Sequence, residues 1–164
     1  MTSALRVGDL LPVRELASVD GRSTVALRDT ARGATALIFV HGIDCNECRA
    51  YAASLAPFAE SFRWWAGTPL VVVPDVDSSV LRPATSHAQS LRVVVDRDGV
   101  LARSCGVAPG AAAIIVADRW GQIYHVAHAG DSHDFLAPEE LESWFRYLAT
   151  QCPECGVIDE PNTD

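Results

Sequence analysis

The sequence predicts an α/β layer fold built around a central mixed β-sheet flanked by helices, with a β-hairpin at the N-terminus. Two observations carry this. Short apolar runs rich in β-branched residues recur at 34–40, 70–73, 91–95 and 111–117, each followed by a turn signal or a helical pattern. Strands alternating with helices, closed by a hairpin and a last amphipathic helix, describe helices layered on a sheet.

Each element has a local reason. Asp20-Gly21 is a turn signal between 13–19 and 24–27, which predicts a hairpin. The run 34–40, apolar except for Thr35, reads as a strand buried on both faces. His41-Gly42-Ile43-Asp44 then forms a loop, and a helix is expected over 45–62 with Leu55, Phe58, Ala59 and Phe62 on one stripe. Pro57 should kink that helix, because its ring removes a backbone donor and crowds the preceding turn. Gly67 to Pro69 breaks the chain before the strand 70–73; 74–90 has no clear pattern beyond one helical turn near 78–81. Asp96-Arg97-Asp98-Gly99 closes the strand 91–95, and a short helix over 100–105 stops at Gly106. Strands 111–117 and 122–127 flank the turn Asp118-Arg119-Trp120-Gly121. Pro138 suits the first position of the last helix, on which Leu141, Trp144, Phe145 and Leu148 form one apolar face. Trp64, Trp65 and Trp120 are expected to pack. The organisation is one domain over 1–150 and an acidic tail over 151–164 that carries a second C-x-x-C.

Composition excludes several functions. The chain of 164 residues is 49% hydrophobic, enough for a substantial core, and its net charge is −8. No basic stripe is available for nucleic acid or anionic lipid, so neither is expected as a partner. There is no lysine, which excludes Schiff-base chemistry and a P-loop lysine. The arginine-only, alanine-rich usage suits a bacterial genome rich in G and C. Residues 1–11 lack the apolar core of a signal peptide and no segment reaches the length of a membrane span, so the sequence reads as cytoplasmic.

Four of the five cysteines form two C-x-x-C pairs, Cys45/Cys48 and Cys152/Cys155, a spacing that means redox chemistry or metal. The first pair lies where a buried strand meets a helix. Free N–H groups and the helix dipole favour a thiolate there. Cys45, first on the helix, is the candidate attacking thiol, and Cys48, one turn on, the candidate resolver. Asp44 and Glu47 should push the thiol pKa up and make the couple more reducing, with Arg49 and His41 opposing them. Asp44 has a second reading as the helix N-cap. His41 is a candidate proton carrier or simply a loop histidine bonded to backbone. Cys105 reads first as a small core residue, with a resolving thiol as the other reading.

Cys152-Pro153-Glu154-Cys155-Gly156 has three readings: half of a zinc knuckle, a mobile dithiol relay to the first pair, or idle thiols. His125, His128 and His133, with Asp131 and Asp134, look like a metal cluster, but residues 125 and 128 on a strand point to opposite faces. A polar surface loop is the simpler reading.

At this point the chain resembles a redoxin of the alkyl hydroperoxide reductase/thiol-specific antioxidant type, which is peroxiredoxin-like. Val7-Gly8-Asp9-Leu10-Leu11-Pro12 is similar to the family's opening, and Asp20-Gly21-Arg22 with Val25-Ala26-Leu27 to its hairpin. The stretch from Phe39 to Arg49 with C-N-E-C-R resembles its active-site segment. Asp96-Arg97-Asp98-Gly99 through Gly106-Val107, and Val116-Ala117-Asp118 through Ile123, follow in the family's order. The resemblance implies a thioredoxin-like fold and antioxidant or disulfide chemistry.

Departures from the family's pattern matter for function. The position of the family's cis-proline corresponds to Ala112, or to Pro109 if the loop is longer. The proline and hydroxyl positions of a peroxiredoxin motif correspond to Ile38 and Gly42, so the peroxide-activating hydroxyl is absent. The acid that thioredoxins bury falls on Phe39.

The expected activity is therefore thiol:disulfide exchange through Cys45 and Cys48 on a disulfide-containing protein or small molecule. A peroxiredoxin-like peroxidase using Cys45, and a metal-binding or interaction module on a redoxin scaffold, are the alternatives. No cofactor is required. A small residue at Ala112 leaves room beside the sulfurs for Zn2+ or an iron–sulfur cluster on Cys45/Cys48, with or without Cys152/Cys155.

Overall fold

The computed structural model describes residues 4–19, 21–28, 33–42, 44–74, 91–108 and 110–151. Asp20, Ile43, Pro109, the pattern-poor stretch 75–90 and the pair Cys152/Cys155 lie outside them.

Seven strands form one sheet: β1 (Glu15–Ser18), β2 (Thr24–Ala26), β3 (Thr35–Phe39), β4 (Thr68–Pro74), β5 (Arg92–Asp96), β6 (Ala112–Ala117) and β7 (Ile123–Gly130). Their order across the sheet is β2-β1-β5-β4-β3-β6-β7. The central β3, β4 and β5 run parallel, while β6, β7, β1 and β2 pair antiparallel at the flanks. The helices are α1 (Asn46–Leu55), α2 (Ala59–Trp64), α3 (Val100–Ser104) and α4 (Pro138–Ala149). The mixed, thioredoxin-like sheet with an N-terminal hairpin is thus the observed fold.

Because strand side chains alternate, β3 feeds both faces. Leu37 and Phe39 join Leu70, Val72, Leu101 and Ile115 under α3, whereas Ala36 and Ile38 join Val71, Leu55, Phe62 and Phe145 under α1, α2 and α4. All five residues of β3 are buried, which is why the run lacks polar alternation. Pro57 splits the predicted long helix: a 3-10 turn over Ala56–Phe58 separates α1 from α2. Phe62 meets Phe145 edge-on at 5.3 Å, joining α2 to α4, a geometry worth about 0.5–1.5 kcal/mol beyond area burial. The buried Asp96 carboxylate accepts the N–H groups of Leu101 and Ala102 at 2.8 Å each, tying β5 to α3. Packing fails as an expectation for Trp64, which is 79% exposed because it sits on the outward side at the end of α2. Trp120, at a hairpin turn, is also exposed.

A dithiol flanked by two histidines

β3 ends in the centre of the sheet and delivers His41 just beyond its last residues. The chain then turns into α1, whose N-cap is Cys45 rather than Asp44; Asp44 lies one residue earlier and is exposed. The main-chain carbonyl of Cys45 receives the first helical bond, from the Arg49 N–H at 3.1 Å. Cys45 is half-buried and Cys48, one turn on, is buried. Both are free thiols.

The fourth member of the site comes from far along the chain. After β7, a loop over 131–137 runs back across the N-terminus of α1. Phe135 stacks on Tyr51 of α1 with ring centroids 4.3 Å apart, which anchors that loop. His133 is thereby placed with Nε2 at 3.1 Å from Cys45 Sγ and Nδ1 paired with the Glu47 carboxylate. On the other side, His41 holds Nδ1 at 3.5 Å from Cys48 Sγ and Nε2 at 2.8 Å from the Gly130 carbonyl. The two imidazoles meet edge to face at 4.6 Å.

Those outer partners fix the tautomers. A carbonyl and a carboxylate only accept, so His41 carries its proton on Nε2 and His133 on Nδ1. Each ring therefore turns its remaining nitrogen toward a sulfur. Ala112, at the start of β6, is fully buried, and the registers Phe39↔Ala113 and Ala112↔Gly130 place it between the ends of β3 and β7.

The two thiols differ sharply. The Cys45 pKa is lowered from 9.0 to about 6, chiefly by the Cys48 N–H on the first turn of α1, with His133 and His41 adding to it. Cys48 is pushed up to about 11, chiefly by burial, with the neighbouring Cys45 charge adding to it. His41 is raised, mainly by its bond to the Gly130 carbonyl. The acidic neighbours therefore do not raise the Cys45 pKa as the sequence suggests. Glu47 faces His133 instead of the sulfur. Arg49 does not supply the positive charge either; its guanidinium donates to Asn46.

The histidine-rich segment separates in the fold. His133 enters the site, whereas His125 packs against Trp144 and His128 is exposed. Among the described residues, the group with metal-ligating reach is His41, Cys45, Cys48 and His133, with one donor atom from each, all within 4.8 Å of one another. Cys105 lies on the opposite face of the sheet, fully buried against α3, with its pKa raised to about 11 by burial. It is a core residue with no route to Cys45.

This fold and this dithiol define a redox protein of the thioredoxin-like class. The sequence matches the AhpC/TSA family over residues 7–126, and the chain belongs to that family. Solved structures with the same fold include the peroxidoxin BcpB of Mycobacterium tuberculosis, at 16% identity and TM-score 0.74, covering 88% of this chain and 98% of that one. A peroxiredoxin-like protein from Aquifex aeolicus matches at 17% identity and TM-score 0.75, covering 89% of each chain. A secreted Mycobacterium tuberculosis disulfide oxidoreductase homologous to E. coli DsbE matches at 18% identity and TM-score 0.64, covering 82% of this chain and 96% of that one. No curated protein matches the sequence.

Proposed function

We propose that this chain is a thiol:disulfide oxidoreductase in which Cys45 attacks the substrate disulfide and Cys48 resolves the intermediate. The observation that supports it most is the polarisation of the pair: an accessible low-pKa thiol beside a buried high-pKa thiol, each within reach of a ring nitrogen of its own histidine. An exchange cycle needs this asymmetry, because the attacking and resolving thiols act in sequence.

Cys45 enters the reaction as the thiolate, with its pKa lowered to about 6 and His133 Nε2 beside the sulfur. The thiolate attacks one sulfur of the substrate disulfide. A Cys45–substrate mixed disulfide forms, and the other substrate sulfur leaves as a thiolate that takes up a proton. The negative charge on Cys45 is then gone, which removes one of the effects holding Cys48 protonated. His41 Nδ1 accepts the Cys48 proton, and the new thiolate attacks Cys45 Sγ. The second substrate thiol departs. The substrate has gained two electrons and the chain holds a Cys45–Cys48 disulfide. A disulfide-containing protein or small molecule fits this chemistry. Gly42 supplies no hydroxyl for a peroxide oxygen, so peroxide is the poorer oxidant in this reading.

The test is trapping. Reduced Cys48→Ser, mixed with a disulfide-bonded test protein, should accumulate a mixed disulfide through Cys45, seen by mass spectrometry. Cys45→Ser should form none and should reduce no disulfide. Substantial reduction by Cys45→Ser removes Cys45 as nucleophile and ends the proposal.

A further inference from the structure

We propose that the reduced chain binds one Zn2+ through His41 Nδ1, Cys45 Sγ, Cys48 Sγ and His133 Nε2. The proposal rests on these four donors alone and does not depend on the exchange reading.

The donor set is two sulfurs and two nitrogens, the softness Zn2+ prefers. Zn–S bonds of about 2.3 Å and Zn–N bonds of about 2.0–2.1 Å at tetrahedral angles put sulfur and nitrogen about 3.5 Å apart. Here two of the four sulfur–nitrogen separations are 3.1 and 3.5 Å, and all four donors lie within 4.8 Å of one another. Small movements of side chains would close them on one ion. The spacing suits a single ion rather than two irons with bridging sulfides.

The surroundings also fit. A metal-bound histidine normally donates its other ring N–H to a carbonyl or carboxylate, which fixes its tautomer and strengthens it as a ligand. Both histidines already have such a partner: Gly130 O for His41 and the Glu47 carboxylate for His133. Each already turns its other ring nitrogen to the centre. In the bound state both sulfurs are thiolates, and their two charges neutralise the ion. Four protein ligands fill a tetrahedral site, so no position is left for substrate. The bound ion therefore occupies the sulfurs that exchange requires, and in the disulfide form neither sulfur is a thiolate able to hold it.

Cobalt titration of the reduced, metal-stripped full chain under anaerobic conditions tests this, with Zn2+ added afterwards against a chromophoric chelator. We expect one Co2+ per chain, the intense visible bands of a tetrahedral site, a near-ultraviolet thiolate-to-cobalt transition, and displacement by one Zn2+. Glu47→Gln should weaken Zn2+ binding about 10- to 100-fold, and His133→Ala should weaken it more, each with an unchanged circular dichroism spectrum. Cys152→Ser/Cys155→Ser should leave affinity and spectrum unchanged, and the disulfide form should bind no ion. A pale octahedral spectrum overturns the proposal. So does binding unaltered by both Glu47→Gln and His133→Ala, or binding lost with Cys152 and Cys155. None of these outcomes bears on mixed-disulfide trapping.

Discussion

If Cys45 ionises near pH 6, its reactivity must have a shape in pH that no ordinary thiol shares. At pH 7 about nine in ten Cys45 side chains are thiolate, against about one in a hundred for a thiol at 9.0. Stabilising a thiolate also weakens it as a nucleophile: with a Brønsted slope of about 0.4–0.5, a lowering from 9.0 to about 6 costs roughly 20-fold in intrinsic rate. The roughly 90-fold gain in thiolate therefore leaves Cys45 only about fivefold faster than an unperturbed thiol at pH 7. At pH 6 the advantage grows to about 25-fold, and at pH 9 it reverses to about tenfold slower. The assay is stopped-flow reaction of the reduced chain with an uncharged aromatic disulfide between pH 4.5 and 9.5. The rate should climb through pH 6 and be flat above about pH 7. A rate still rising nearly tenfold per unit between pH 7 and 8.5 would refute the account of the Cys45 environment.

Further consequences can be measured independently. His133→Ala removes one of the groups that lower the Cys45 pKa, so the inflection should move up and the rate at pH 6 should fall, with far less change at pH 9. Because the folded pKa of Cys45 lies below its unfolded value, its contribution to the reduced chain's stability is full above pH 9 and fades as pH falls through 6. Thermal unfolding of reduced wild type against Cys45→Ser should accordingly show a gap that narrows from pH 8 to 5.5; a gap that widens contradicts the sign. Gly67→Ala puts a Cβ 2.2 Å from the buried Phe145 ring, and overpacking of this kind costs about 1–3 kcal/mol; denaturant melts should show a lowered midpoint. Asp96→Ala leaves the Leu101 and Ala102 N–H groups unpaired, a loss of about 1–3 kcal/mol for each buried group left unsatisfied. Denaturant melts of this variant are the check, and an unchanged midpoint would be the contrary result.

Much of the scaffold was legible in the sequence because it follows from local patterns. The apolar run over 34–40 is a strand because a parallel central strand is covered on both sides, and Pro57 interrupts a helix wherever it lies within one. The place of Cys45 was legible for the same reason, since a C-x-x-C after a buried strand falls on a helix start. The rest of the site depends on contacts distant in sequence. His133 follows Cys45 by 88 positions, and the stacking of Phe135 on Tyr51 and the pairing with Glu47 hold it there. Its only signal in the sequence is a polar, histidine-rich loop before the last helix. The sign of the Cys45 shift differs from the sequence expectation for a related reason: counted by proximity, Glu47 opposes a thiolate, but in the fold it is paired with His133. Asp44 fails as a cap because Cys45 itself is the N-cap of α1, which begins at Asn46.

The central claim is that this dithiol is built to exchange with disulfides, and the most direct measurement is a comparison of oxidants on one sample. Reduced chain is mixed at pH 7 with a small disulfide and, separately, with hydrogen peroxide, and oxidation is followed by tryptophan fluorescence and peptide mapping. A missing preorganised donor typically costs about 10²–10³-fold. The disulfide should therefore react faster, and the product should be a Cys45–Cys48 disulfide. Peroxide oxidation of Cys45 that outpaces every disulfide and approaches the diffusional range of about 10⁸–10⁹ M⁻¹s⁻¹ would contradict the account and make the chain a peroxidase.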